Sequence, residues 1–154
     1  MAVHSLAFRA LDRHVIDGRA DDPALVTSGG TLSYAQLLHE SASLAGGLRE
    51  LGMATGTPVR LHVPDRRVWV LGVLAIARLG AEPVHEGDEA RYRIVDDPAI
   101  VAVGEDVLDL DLVLRAGRAD PARALAVEPA GYAERLERRY GDVLAVLLHG
   151  GTLA

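Results

Sequence analysis

Leu32-Ser33-Tyr34-Ala35-Gln36-Leu37-Leu38 opens the stretch that decides the fold. It continues through Leu44-Ala45-Gly46-Gly47-Leu48-Arg49-Glu50-Leu51-Gly52 and Pro58-Val59-Arg60-Leu61-His62-Val63-Pro64 to Leu74-Ala75-Ile76-Ala77-Arg78-Leu79-Gly80. Ser33 with Gln36 three residues on is a capping box, each side chain satisfying a backbone N–H at the other residue, and predicts a helix start. Leu37, Leu44, Leu48 and Leu51 form a one-sided apolar stripe. Gly52 supplies the left-handed residue that ends such a helix. Val59 to Val63 is short, rich in β-branched residues and bounded by prolines, which reads as a strand. Asp65 caps a second helix running to Leu79 and ended by Gly80, after which Glu82-Pro83-Val84-His85 returns as a strand. Helix and strand in this alternation predict an α/β fold in three layers, a mostly parallel sheet with helices on both faces.

Working outward, Leu6, Leu11, Val15 and Ile16 recur near helical spacing and predict a first helix from Ser5 to Asp17, capped by Ser5 and stopped at Gly18. Asp12-Arg13-His14 on it reads as a solvated face. Ala24-Leu25-Val26-Thr27 and Thr31-Leu32 flank Ser28-Gly29-Gly30 as a hairpin, and because a strand follows, that Gly-Gly turn is no phosphate cradle. Gly46-Gly47 costs about 1 kcal/mol per residue relative to alanine inside a helix, so close packing on the sheet or on the first helix is expected there. Arg60 and His62 share one face of their strand while Val59, Leu61 and Val63 share the other, which places the polar face near an edge, a crevice or a partner. The helix after Asp65 carries Val68, Trp69, Val70, Leu71, Val73, Leu74, Ile76 and Leu79 and has almost no polar face; it is either buried or half-buried against a partner.

Beyond Gly80, His85 to Glu89 reads as an acidic loop without the ligand spacing of a metal site, and no metal is expected. Ala90 to Val95 is expected as a short helix, Ala99 to Val103 as a strand, and the Asp/Leu alternation from Asp106 to Leu114 as an exposed strand. Tyr132 to Tyr140 is a charged helix with Glu134 and Arg138 at i,i+4. Val143 to Leu148 reads as a buried strand running into His149-Gly150-Gly151-Thr152.

A chain of 154 residues fits one domain, 1–154, with a core sufficient to fold without staples. It has no cysteine, in keeping with a cytoplasmic setting. The net charge of −6 argues against nucleic acid or an anionic membrane as partner. All 16 basic residues are arginine, which excludes in this chain a Schiff-base lysine, a phosphate-loop lysine and a lysine orienting an acyl-adenylate. Met1 to Arg9 lacks the apolar core of a signal peptide, and Val68 to Ala77 falls short of the about 20 residues that cross a bilayer.

Taken in order, several segments resemble the N-terminal part of AMP-forming acyl-CoA synthetases, in the adenylate-forming superfamily, and most resemble the acetyl- and propionyl-CoA synthetase branch. Leu11-Asp12-Arg13-His14 with Pro23-Ala24-Leu25-Val26 looks like the branch's opening segment. Leu32-Ser33-Tyr34-Ala35-Gln36-Leu37 is similar to the "(L/T)TYxEL" motif, and Leu44 to Leu48 with Leu51-Gly52, Gly56 and Val59 matches the helix and turn that follow. Leu74 to Ala81 resembles "LAcaRiGA", and Arg91 to Asp96 resembles the "LRDRIvDa" helix.

In that family a phosphate loop reading roughly "YTSGTTGxPKG" follows a buried strand and holds the ATP phosphates with backbone N–H groups and a lysine. The resemblance makes His149-Gly150-Gly151-Thr152 a degenerate start of this loop, with Gly150, Gly151 and Thr152 as the nucleotide-side residues, and the domain is expected to be truncated there. Of the glycine pair that contacts CoA in the acetyl-CoA branch only Gly87 survives, and the basic CoA-phosphate segment falls near Glu105 to Leu112, which is acidic and apolar. No catalytic residue is assigned. The expectation is a synthetase-like module, a pseudoenzyme by itself, that acts through association with itself or with a synthetase or carrier protein. Trp69, Arg60 and His62 are its interface residues. The alternative is one part of a split synthetase, binding ATP, Mg²⁺ and CoA and adenylating a carboxylic acid only when completed in trans; alone, no cofactor is expected.

Overall fold

The computed structural model describes residues 4–85, 87–95 and 98–154. Its elements in chain order are β1 (Pro23–Thr27), β2 (Gly30–Ser33), α1 (Tyr34–Glu50), β3 (Pro58–His62), α2 (Arg66–Leu79), β4 (Glu82–Pro83), β5 (Tyr92–Val95), β6 (Ile100–Val103), β7 (Asp106–Asp109), α3 (Leu110–Gly117), α4 (Tyr132–Arg139) and α5 (Gly141–Leu148). They divide into two compact units, one of residues up to His39 with Ala124–Ala154, the other Glu40–Arg123.

In the first unit a helical segment precedes β1. The Ser5 hydroxyl accepts the Phe8 N–H at 3.3 Å, as a cap should. The segment is wound in two π-helical turns, Phe8–Asp12 and Val15–Arg19, and Gly18 breaks it with φ 88°. β1 and β2 form the expected antiparallel hairpin, Leu25 opposite Leu32 and Val26 opposite Thr31. Leu153 joins β1 on its other side in parallel, the Val26 N–H donating to the Leu153 carbonyl at 2.8 Å. Leu6, Leu11, Leu25, Leu37, Leu136, Leu144 and Leu147 make the core together with Tyr34, Tyr132 and Tyr140.

Two expectations fail here. Val143 to Leu148 is helical: Val143, Leu144 and Leu147 are the buried positions of α5, a one-sided spacing that a six-residue apolar run also presents as a strand. His14 is buried and not on a solvated face; its Nε2 lies 2.7 Å from the Leu147 carbonyl and its ring meets Tyr34 edge-on at 4.9 Å.

The capping box of α1 forms as read: the Ser33 N–H donates to Gln36 Oε1 at 2.8 Å and the Gln36 N–H to Ser33 Oγ at 3.2 Å. In the second unit the Asp65 carboxylate accepts the Val68 N–H at 3.0 Å and Gly80 closes α2 at φ 75°.

The five strands of the second unit lie in the order β4-β3-β5-β6-β7. β3 is parallel to β4 and β5, whereas β5, β6 and β7 alternate antiparallel, so the sheet is mixed. β5 replaces the expected helix at Ala90 to Val95. Asp106 to Leu114 divides into strand and helix, because Leu110, Val113, Leu114 and Gly117 fall on one side of α3. Register gives the sheet two unlike faces. Val59, Leu61, Ile94, Val101 and Val103 are at most 8% exposed on one, with Leu61 against α2 at Gly72. Arg60, His62, Arg93, Val95, Ile100, Ala102 and Val107 share the other, and only Ala102 of these is buried.

Residues Val70 to Leu79 of α2 are buried and Trp69 is half-buried, so that helix is core along most of its length. The glycine pair of α1 packs on α3 and not on the sheet or the first helix. A methyl group at Gly47 would stand 2.7 Å from Val113 Cγ1 and closer still to the Val113 carbonyl oxygen. One at Gly117 would stand 2.6 Å from the Gly47 nitrogen.

Candidate functional site

In the first unit, the glycine run after α5 is fixed from both sides. The N–H groups of Gly150 and Gly151 donate to the Leu147 and Val146 carbonyls, each at 2.9 Å, completing the end of α5. Arg19 donates through Nη2 to the Gly150 carbonyl at 2.6 Å and through Nε to Asp22 at 2.7 Å. The Tyr34 hydroxyl donates to the Gly151 carbonyl at 2.6 Å, and Thr152 Oγ1 to the Pro23 carbonyl at 2.7 Å. A phosphate cradle needs amides aimed outward from a helix N-terminus; here Gly150 and Gly151 follow a helix and their amides are occupied. Burial pushes the Tyr34 hydroxyl above the ordinary tyrosine value, partly offset by the Arg19 guanidinium and reinforced by Asp22. Tyr140 is raised for the same first reason, with Arg139 opposing.

The second unit holds a cavity of about 560 Å³ lined by Arg60, Gly87, Asp88, Glu89, Ala90, Arg91 and Arg93. Arg60, on the polar face of its strand, and Gly87, the CoA-side glycine of the resemblance, both line it. Arg60 and Arg93 are register partners on adjacent parallel strands, so their side chains leave the same face side by side. Arg60 donates through Nη2 to the Asp88 carbonyl, and Arg93 through Nη2 to the Gly104 carbonyl at 2.7 Å. His62 stands on the same sheet face, two residues along from Arg60, and is exposed. Trp69 lies in the first turn of α2 and does not line the cavity.

Arg91 and Arg93 are not candidates in the expected helix from Ala90 to Val95, and the strand Tyr92–Val95 is what brings them to the cavity. The period-two alternation of Arg91, Arg93 and Val95 with Tyr92 and Ile94 is the signal that identifies them. Among the described residues no three metal-ligating side chains gather. No helix among them is long and apolar enough to cross a membrane.

The AMP-binding enzyme family matches residues 12–91. Acetyl-coenzyme A synthetase of Deinococcus radiodurans is 38% identical over 82 residues, covering 50% of this chain and 13% of its own length. The curated relatives it matches are spanned over 13–19% of their length. The nonribosomal peptide synthetase FmoA3 shares the fold at a TM-score of 0.71 and 19% identity, over 99% of this chain and 22% of that one. The N-terminal subdomain of Klebsiella oxytoca NpsA does so at 0.59 and 18%, over 80% and 35%.

Proposed function

The chain belongs to the AMP-binding enzyme family, and from that premise we propose that these 154 residues are a scaffold piece of an acyl-adenylate-forming ligase, non-catalytic when alone and acting through association. One observation carries this: the glycines placed where the resemblance puts the phosphate loop have their amides occupied at the end of α5. Adenylation needs a neutralised triphosphate and a carboxylate held in line with the α-phosphate. Neither a lysine nor a free amide cradle is supplied at that position by this chain.

The association surface is the half-open sheet face, where Val107 is 61% exposed and His62 is exposed beside half-buried Ile100 and Val95. A second copy, a synthetase or a carrier protein, in the cytoplasm, is the partner class. Light scattering is the test: the wild-type chain exceeds its 16.4 kDa monomer mass, alone or with a synthetase or carrier protein, and Val107→Asp restores the monomer. A monomer under all of these conditions refutes association.

The 38% identity to an acetyl-CoA synthetase favours a second reading, a part completed in trans that then engages ATP, Mg²⁺ and CoA. Acyl-hydroxamate formed only when a complementary synthetase piece is added supports it, and none in the mixture removes it.

A further inference from the structure

The arginine cavity has a topological cause. β4 and β5 flank β3 on opposite sides and both run parallel to it, so the connection between them must cross β3. Parallel crossovers of this kind take about a dozen residues or more and usually carry a helix. Here Pro83 is followed by β5 at Tyr92, and the crossing passes over the Arg60 face, as the Arg60 bond to the Asp88 carbonyl shows. The described residues of that crossing, 84–85 and 87–91, hold no helix, and space remains open over Arg60 and Arg93.

That space is lined by three guanidinium groups in an unusual state. Like charges side by side on neighbouring strands repel, and Arg60 and Arg93 are such neighbours. Among the described residues no carboxylate lies within 4.0 Å of Arg60, Arg91 or Arg93. The two that are hydrogen-bonded through Nη2 go to neutral carbonyls. The Nε atoms of Arg60 and Arg93 are buried and have no hydrogen-bond partner among the described residues. A guanidinium presents five donors in a planar fork matched to phosphate oxygens, and a buried unpaired donor is costly.

We propose that this cavity binds a compact phosphate or phosphomonoester dianion, held by the guanidinium groups of Arg60, Arg91 and Arg93 that line it. Asp88 and Glu89 are exposed on the lining loop and repel an extended polyanion, which limits the ligand to a single phosphoryl group. The assignment stands whether or not the chain takes part in adenylation.

The test is a titration of the full chain, at constant ionic strength, with inorganic phosphate and separately with adenosine 5′-monophosphate, followed by the arginine Nε–H signals in ¹⁵N-resolved NMR. Two of those signals, assigned to Arg60 and Arg93 by their loss in Arg60→Gln and Arg93→Gln, move as phosphate is added to about 10 mM, a weak-binding regime. Each variant weakens binding about tenfold or more, as loss of a charge-assisted pair implies, whereas Arg123→Gln, an equal charge change on an exposed loop residue, leaves it unchanged. Tighter binding of the monophosphate than of phosphate assigns the site to an esterified group, and equal binding to free phosphate. No movement of either signal, or the same movement with sodium chloride alone, overturns the proposal. Binding undiminished in both folded variants also overturns it. Should the variants not fold, the wild-type titration against chloride decides the matter.

Discussion

Replacing Gly47 by alanine tests the contact between α1 and α3 from which the second unit takes its packing. On helix propensity alone the change is favourable by about 1 kcal/mol, because glycine loses more backbone freedom than alanine on folding. The structure reverses the sign. The new methyl group would sit 2.7 Å from Val113 Cγ1 and nearer still to the Val113 carbonyl oxygen, and the latter is backbone that cannot rotate away. Overpacking of a fitted interface costs about 1–3 kcal/mol, and a clash with backbone belongs at the upper end. Subtracting the propensity gain leaves a net loss of about 2 kcal/mol.

Urea unfolding followed by far-UV circular dichroism and by Trp69, the one tryptophan of the chain, reads this directly. With a slope of about 2 kcal/mol per molar urea the midpoint falls by about 1 M. Gly141→Ala is the control, since a methyl group there meets nothing within 4 Å; it raises stability by about 0.5–1 kcal/mol. If Gly47→Ala stabilises as Gly141→Ala does, the close approach of α1 and α3 is wrong.

Ser33→Ala removes the Oγ that accepts the Gln36 N–H and costs about 1 kcal/mol, while Ser33→Gly costs only a few tenths; equal unfolding midpoints for wild type and Ser33→Ala contradict the capping box. Tyr34→Phe loses the bond to the Gly151 carbonyl, at a cost of about 1 kcal/mol near neutral pH. The same substitution alters alkaline behaviour. Burial raises the Tyr34 hydroxyl above 10.0, so the unfolded chain ionises first; its contribution is complete below pH 10 and is lost as pH rises through the higher folded value. Tyr34→Phe therefore loses stability less steeply than wild type above pH 10, with Tyr140 supplying the remaining slope, and an identical slope refutes the assignment.

The capping pairs at Ser33 and Asp65, the closing glycine at Gly80 and the hairpin around Gly29 were legible because each is a local pattern of three or four residues whose partner is already in the window. What escaped depends on distant partners. Tyr92 to Val95 becomes a strand because β3 and β6 flank it, and Val143 to Leu148 a helix because its buried residues face one side; neither neighbour is written in the segment itself. Half of the arginine cavity was visible in the same way. Arg60 stood out as a polar position on an apolar strand, whereas Arg93 acquires its meaning only from register with Arg60 across 33 positions of chain. Gly46 and Gly47 announced a close approach through their helix cost, but their partner, α3, was hidden in a stretch read as strand.

Pyrophosphate release from the purified chain supplied with ATP, Mg²⁺ and a short carboxylic acid bears most directly on the claim that these residues form a ligase scaffold without the adenylating groups. The prediction is release at the rate of the protein-free control, for acetate and propionate alike. Sustained release above that control, dependent on the acid and abolished by heating the protein, contradicts it.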